Sequence, residues 1–102
     1  MYRLIKTSSD NKQLLKDIGK KLVNLDLSPC VQISSKTESI YKWHDNVELS
    51  SEYILTIKTL KKYSDKCFNL IKKHHNYEVP EIIELEFSIL NDKYIRWFNE
   101  NL

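Results

Sequence analysis

The fold is decided by residues 30–59, CVQISSKTESIYKWHDNVELSSEYILTIKT, where the sequence takes on the pattern of β-strands. Val31 and Ile33 alternate with polar neighbours, and residues 53–57 have the β-branched and aromatic composition that half-buried strands prefer. Residues 44–46, His-Asp-Asn, are suited to a hairpin turn, because Asp and Asn tolerate positive φ where glycine is absent. The segment therefore predicts an unusually long β-hairpin for a chain of 102 residues.

An amphipathic helix is predicted on each side of this hairpin. The first follows candidate N-cap side chains at residues 8–11 and ends near residues 26–27, since the residue before Pro29 avoids helical geometry. The second helix covers residues 61–75, and His75 continues its apolar stripe. The apolar residues of the first helix recur at helical spacing on one face: Leu14, Leu15, Ile18, Leu22 and Leu25.

The remaining elements complete an α+β order. Residues 2–7 predict an opening strand, and Pro80 leads into a strand over residues 82–87 with alternating apolar and acidic side chains. Asn91-Asp92 is a candidate cap for a short last helix. The order is βαββαβ, the order of ferredoxin-like domains, with an extra C-terminal helix. We expect residues 1–102 to form one domain.

Two helices can cover only one face of such a sheet. Val31, Tyr41, Trp43, Ile54 and the apolar residues of the last strand together exceed what those helices could bury. A sheet with an apolar free face or a free edge tends to associate with another chain. The sequence therefore predicts self-association.

Composition excludes several classes of function. The chain has a single glycine, Gly19, against an average of roughly seven, and no glycine-rich phosphate-binding motif. A net charge of +2 gives little attraction to nucleic acid or to a membrane surface. No apolar stretch is long enough to span a bilayer. No catalytic pairing of Ser, Cys, His and Asp can be placed, so we expect no enzyme.

Cys30 and Cys67 form no Cys-x-x-Cys motif, and nothing at the start of the sequence reads as a secretory signal. A reducing compartment is the simplest interpretation, so we expect a cytoplasmic location. Both cysteines are predicted to be small buried apolar residues.

Four short motifs, taken together, resemble the CutA family of divalent-cation-tolerance proteins. They are residues 74–81 (HHNYEVPE), 39–43 (SIYKW), 57–59 (IKT) and 94–97 (YIRW), and the resemblance covers residues 4–98 in order and spacing. It implies a homotrimer of ferredoxin-like subunits whose long hairpins extend the sheets of their neighbours. It also implies a role in tolerance of copper and other divalent metals, with no settled catalytic activity.

His74, His75 and Glu81 are the candidate metal ligands. Imidazole combined with carboxylate suits Cu(II) or another divalent ion, and no cofactor is expected to be obligatory. Adjacent histidines on a helix point about 100° apart, so a site shared with another subunit is easier to build. In the family the resemblance implies a further cysteine ligand at the position of Lys6, which is a poor ligand. Alternatively, the histidines only hydrogen-bond the carbonyls at the helix end.

A second candidate site combines aromatic walls with polar tips, as small-ligand pockets do. In this site Lys58 could pair with an acidic ligand or with Glu81; on the alternative interpretation these aromatics are core or subunit interface. The leading function is a non-enzymatic trimer of metal tolerance, and the alternative is a regulatory trimer that binds a metabolite or a partner protein. The predicted pocket residues are Tyr41, Trp43, Lys58, Tyr77 and Trp97.

Overall fold

The computed structural model describes all residues, 1–102. It confirms the predicted mixed α+β order, except that the second strand is divided into two segments around residues 34–36. The elements are β1 (Tyr2–Ser9), α1 (Lys12–Asn24), β2 (Cys30–Ile33), β3 (Thr37–Trp43), β4 (Asn46–Leu60), a 3-10 turn (Lys61–Tyr63), α2 (Ser64–His74), β5 (Ile82–Phe87) and α3 (Asp92–Glu100).

One antiparallel sheet connects all five strands. Its order is β2-β4-β1-β5, and β3 pairs with the first half of β4. Because β4 is 15 residues long, the half that pairs with β3 extends beyond the strands covered by helices. The hairpin β3–β4 is therefore an arm, and the molecule measures 46 × 25 × 22 Å.

The tip of this arm is a two-residue turn that uses no glycine. His44 has φ 49° and Asp45 has φ 65°, while Trp43 and Asn46 form the last pair of the ladder. Positive φ at both central residues is the geometry that matches the twist of a hairpin. The turn is thus at the predicted place. Its residues with positive φ are His44 and Asp45, whereas Asp45 and Asn46 were expected to have it.

The main core lies between α1, α2 and one face of the sheet. Ile5 pairs with Ile57 across β1 and β4, and both side chains point toward the helices. Gly19 brings α1 so close to β2 that a Cβ atom there would lie 2.9 Å from Cγ2 of Val31. The nine buried members of this core are Ile5, Leu15, Ile18, Leu22, Leu27, Leu55, Ile57, Cys67 and Ile71.

The opposite face of the sheet is covered at one end only. There α3 places the fully buried ring of Phe98 against Tyr2, with 5.4 Å between the ring centroids. Farther along the face, Ile83 and Leu85 of β5 are 44% and 48% exposed. The predicted apolar surplus on this face is therefore present in the single chain.

The two cysteines differ in their surroundings. Cys67 is fully buried, as predicted, and burial raises the pKa of its thiol, while a hydrogen bond with Thr59 acts the other way. Cys30 is only half-buried, because it lies in β2 at the edge of the sheet. Both are free thiols. None of the helices combines the length and the apolar character needed to cross a membrane.

Candidate functional site

The segment that follows α2 is fixed through His75. The helix ends at His74, one residue earlier than predicted, and His75 has extended geometry. Its Nε2 lies 2.9 Å from the carbonyl oxygen of Ser8, and its Nδ1 accepts the backbone N–H of Tyr77 at 3.0 Å. Since a carbonyl can only accept, Nε2 carries the proton and the ring is neutral in this arrangement.

Burial lowers the pKa of His75, which favours this neutral form. The hydrogen bond to Ser8 and the charges of Asp10 and Glu52 act in the opposite direction but are smaller causes. Both ring nitrogens are thus already used within the chain. The histidine connects the end of α2 to the end of β1.

The next residues extend this connection into a polar network. Ser9 donates to Asn76 at 2.6 Å, and the Asn76 amide donates to Asp10 at 2.8 Å. The Tyr77 hydroxyl accepts the backbone N–H of Asp10 at 2.8 Å and donates to the Glu52 carboxylate at 2.7 Å. Burial, followed by this hydrogen bond to Glu52, raises the pKa of Tyr77. The network fixes Tyr77 as a neutral phenol.

Beside this network a cleft of about 890 Å³ opens on the uncovered face of the sheet. Three of the predicted pocket residues meet there, because Tyr41 and Trp43 of the arm face the segment that carries Tyr77. Trp43 and Tyr41 are 46% and 44% exposed, so their rings form an accessible wall. Glu81 also lines the cleft.

The other two predicted pocket residues lie elsewhere. The Lys58 ammonium is 3.4 Å from the hydroxyl of Tyr94, and the Tyr94 ring stacks on Trp97 with 5.3 Å between centroids. These contacts place Lys58 beside α3, the helix that carries Trp97, and neither residue lines the cleft. The predicted set of five therefore divides into two groups.

The predicted metal ligands are not brought together within one chain. His74 lies in a different groove, between the ends of α1 and α2, with Lys21 and Lys73. His75 has no free ring nitrogen, and Glu81 is an exposed residue of the cleft. The chain contains no cluster of three side chains that could hold a metal ion. The residues of a single chain do not fit a copper site, and the predicted ligand set stays a prediction.

Two charged residues of the cleft were not among the predicted site residues: Glu52 was missed, and Lys6 was considered only as the residue in place of a ligand cysteine. Glu52 is 7% exposed and comes from β4, and Lys6 is half-buried and comes from β1. Glu52 and Ile54 are two residues apart in β4, so their side chains point to the same face of the sheet. Ile54 was expected on the free face. This spacing from Ile54 was the one sequence signal that could have placed Glu52 on the free face. It was weak, because charged residues of strands usually face solvent.

The amino-acid sequence matches the CutA1 divalent ion tolerance protein family over residues 3–101. The divalent-cation tolerance protein CutA of Thermus thermophilus is 32% identical over 101 residues, which cover 99% of this chain and 98% of that protein. The chloroplastic CutA of Arabidopsis thaliana is 32% identical over 91 residues, or 89% of this chain. The chain spans 50% of that protein's length and 51% of a chloroplastic CutA 1 of rice.

Solved structures of CutA1 proteins have the same backbone fold as this chain. The Thermus thermophilus divalent cation tolerance protein superposes with a TM-score of 0.92 at 32% identity, over 99% of this chain and 98% of that one. The CutA1 of a psychrotrophic Shewanella species also gives 0.92 at 32% identity, over 98% and 94% of the two chains.

Proposed function

Since the chain belongs to the CutA1 divalent ion tolerance family, we propose that it acts as a non-enzymatic homotrimer in the tolerance of divalent cations, copper among them. The family match over residues 3–101 is the observation that carries this proposal. A ferredoxin-like assignment is supported by the strand order β2-β4-β1-β5 with α1 and α2 on one face. The cytoplasmic location stays a prediction, because related proteins are named chloroplastic.

The trimer is supported by apolar surface on the arm that no element of the chain covers. Ile40 and Leu49 are paired across the hairpin and are 72% and 65% exposed, and Val47 on the same side is 72% exposed. Three large aliphatic side chains on one face of a projecting hairpin favour contact with another chain. In a closed homotrimer each arm would pack on a neighbour.

An aspartate at Leu49 should dissociate the trimer. The substitution would bury a charge in the proposed interface, which disfavours association strongly. We expect sedimentation velocity at micromolar concentration to show a trimer for the wild type and mainly monomer for Leu49→Asp. The matched control is Leu25→Asp, at a 60% exposed leucine after α1, which should remain trimeric. A monomeric wild type would contradict the proposal.

The copper contact is a separate prediction with its own measurement. A site that includes His75 would have to replace its hydrogen bonds to Ser8 and Tyr77. Metal binding through this ring therefore predicts that His75→Gln weakens Cu(II) affinity by about tenfold or more in isothermal titration calorimetry at pH 7. The control is His44→Gln, in the hairpin tip. Equal affinities of wild type and His75→Gln would remove His75 from the ligand set.

A second candidate function is the binding of a small molecule in the cleft. The observation that favours it is the accessible wall of Tyr41 and Trp43 beside the fixed Tyr77. The cleft volume lies in the range of small-ligand sites. A ligand on this wall would contact the arm itself, so its binding would act on the subunit contacts of the arm.

A further inference from the structure

The helical layer of the fold, formed by α1 and residues 61–74, carries a large positive charge. It contains nine lysines and two aspartates, whereas the rest of the chain contains seven basic and twelve acidic residues. All nine lysines are exposed, and of these only Lys61 forms an ion pair, with Glu84. The small net charge of the whole chain therefore conceals a strongly basic layer on the side of the sheet that carries the helices.

The groove that contains His74 lies in this layer, between α1 and α2, and has a volume of about 560 Å³. Cys67, near the start of α2, contacts the carbonyl oxygen of Leu27, which follows α1. His75, which follows α2, contacts Ser8, which precedes α1. The two helices are therefore antiparallel, and the groove runs along both of them. None of its lining residues is acidic.

The two ends of the groove differ in chemical character. Lys21 lies one helical turn before Leu25 at the end of α1, and Leu70 lies one turn before His74 in α2. In antiparallel helices this spacing puts Leu25 and Leu70 at one end of the groove. Lys21 and Lys73 are then at the other end, roughly 6 Å away at the rise of a helix. Neither lysine forms an ion pair.

This combination fits an acidic peptide better than other polyanions. The unpaired lysines attract carboxylates, the apolar end can bury one aliphatic side chain, and the amides of Asn24 and Asn69 beside it can hydrogen-bond a peptide backbone. A bilayer would need a broad apolar face, yet the apolar faces of α1 and α2 are buried in the core. Nucleic-acid sites typically use arginine and stacking aromatic rings, and the groove contains neither.

We infer that the groove between α1 and α2 is a docking site for a short acidic segment of a partner protein. Its carboxylates lie at Lys21 and Lys73, and one aliphatic side chain packs between Leu25 and Leu70. The charge of the segment complements the basic layer, which also accelerates its approach. None of the groove residues belongs to the arm or to the uncovered face of the sheet, so the proposed trimer would leave the groove free. The inference goes beyond the role in metal tolerance and does not depend on it.

The test uses the full chain and a synthetic nonapeptide with blocked ends, in which a central leucine is flanked by four glutamates on each side. Two matched control peptides have serine in place of the leucine, or glutamine in place of every glutamate. We expect the acidic leucine peptide to bind about tenfold more tightly than either control in isothermal titration calorimetry at pH 7 and low salt. It should also shift the NMR signals of the Asn24 and Asn69 side-chain amides.

Two double variants with the same loss of charge locate the binding site. Lys21→Gln with Lys73→Gln should weaken binding of the peptide about tenfold. Lys36→Gln with Lys93→Gln, at exposed positions outside the helical layer, should change the affinity by less than about twofold. Leu25→Asp, which should remain trimeric, should weaken binding about tenfold, because a charge replaces the apolar contact. Circular dichroism and sedimentation of all variants establish that they fold and assemble as the wild type does.

Three results would overturn the inference. The first is an absence of binding by the acidic leucine peptide at millimolar concentration, or equal binding of either control peptide. The second is an equal loss of affinity in the two double variants, which would show attraction by net charge alone. The third is displacement of the peptide by phosphatidylserine vesicles or by a single-stranded oligonucleotide at the same concentration of negative charge, which would assign the basic layer to a membrane or to nucleic acid. The trimer measurement with Leu49→Asp and the copper titration are independent of all three.

Discussion

Replacing Phe98 by alanine should lower the free energy of unfolding by about 3–5 kcal/mol. The Phe98 ring is fully buried between α3 and the sheet, at 85° to the ring of Tyr2. It is the single buried residue of α3, so the alanine variant removes the contact that holds this helix on the sheet. The Tyr94 ring, 6.3 Å from Phe98, would lose a neighbour at the same time.

Denaturant unfolding at one fixed protein concentration measures this effect, because the stability of an oligomer depends on concentration. Phe98→Leu keeps most of the volume and should lose clearly less than the alanine variant. Leu90→Ala is the control for a large residue that contributes no burial, since Leu90 is 93% exposed. A loss below about 1 kcal/mol in Phe98→Ala would show that α3 does not depend on this contact.

Replacing Gly19 by alanine should destabilise the protein, although alanine is the better helix former. The new Cβ atom would lie 2.9 Å from Cγ2 of Val31 and 3.6 Å from Cδ1 of Leu55. Val31 is β-branched, so its methyl groups cannot turn aside freely. We expect a net loss of about 1–3 kcal/mol from the forced separation of α1 and β2, after a helix-propensity gain of at most about 1 kcal/mol.

A double-mutant cycle with Val31→Ala tests the cause. Removing the two methyl groups of Val31 opens the space that the Cβ atom needs, so Gly19→Ala should cost little or nothing in that background. Lys20→Ala, at the exposed neighbouring position of α1, should change stability by less than about 0.5 kcal/mol. Equal costs of Gly19→Ala in both backgrounds would exclude the contact with Val31 as the cause.

The helices, the strands and the turn of the arm were predictable because each depends on local chemistry. Asn11 and Asn91 cap α1 and α3 at the positions that their side chains favour. The alternation of β5 correctly placed Ile83 and Leu85 on one face. The single glycine excluded backbone phosphate loops but did not indicate its own role, because the approach of Val31 to Gly19 depends on tertiary packing.

The candidate site was predicted in part, for a comparable reason. Tyr41, Trp43 and Tyr77 line one cleft, and their role as a ligand pocket stays a prediction. Lys58 and Trp97 were grouped with them by residue type. In the structure both contact Tyr94 of α3 and lie outside the cleft. Sequence spacing does not report which part of a sheet a C-terminal helix covers.

The amino-acid sequence by itself determined the elements, the family and the surplus of apolar residues on one face, because periodicity and short motifs are properties of neighbouring residues. Only the tertiary structure decided the roles of His75 and Glu52. The hydrogen bonds of His75 reach back to Ser8, and the carboxylate of Glu52 is buried by Tyr77 from a distant segment. Such long-range contacts are produced by the packing of the whole chain, so the protonation of His75 and the unpaired charge of Glu52 became visible only in three dimensions.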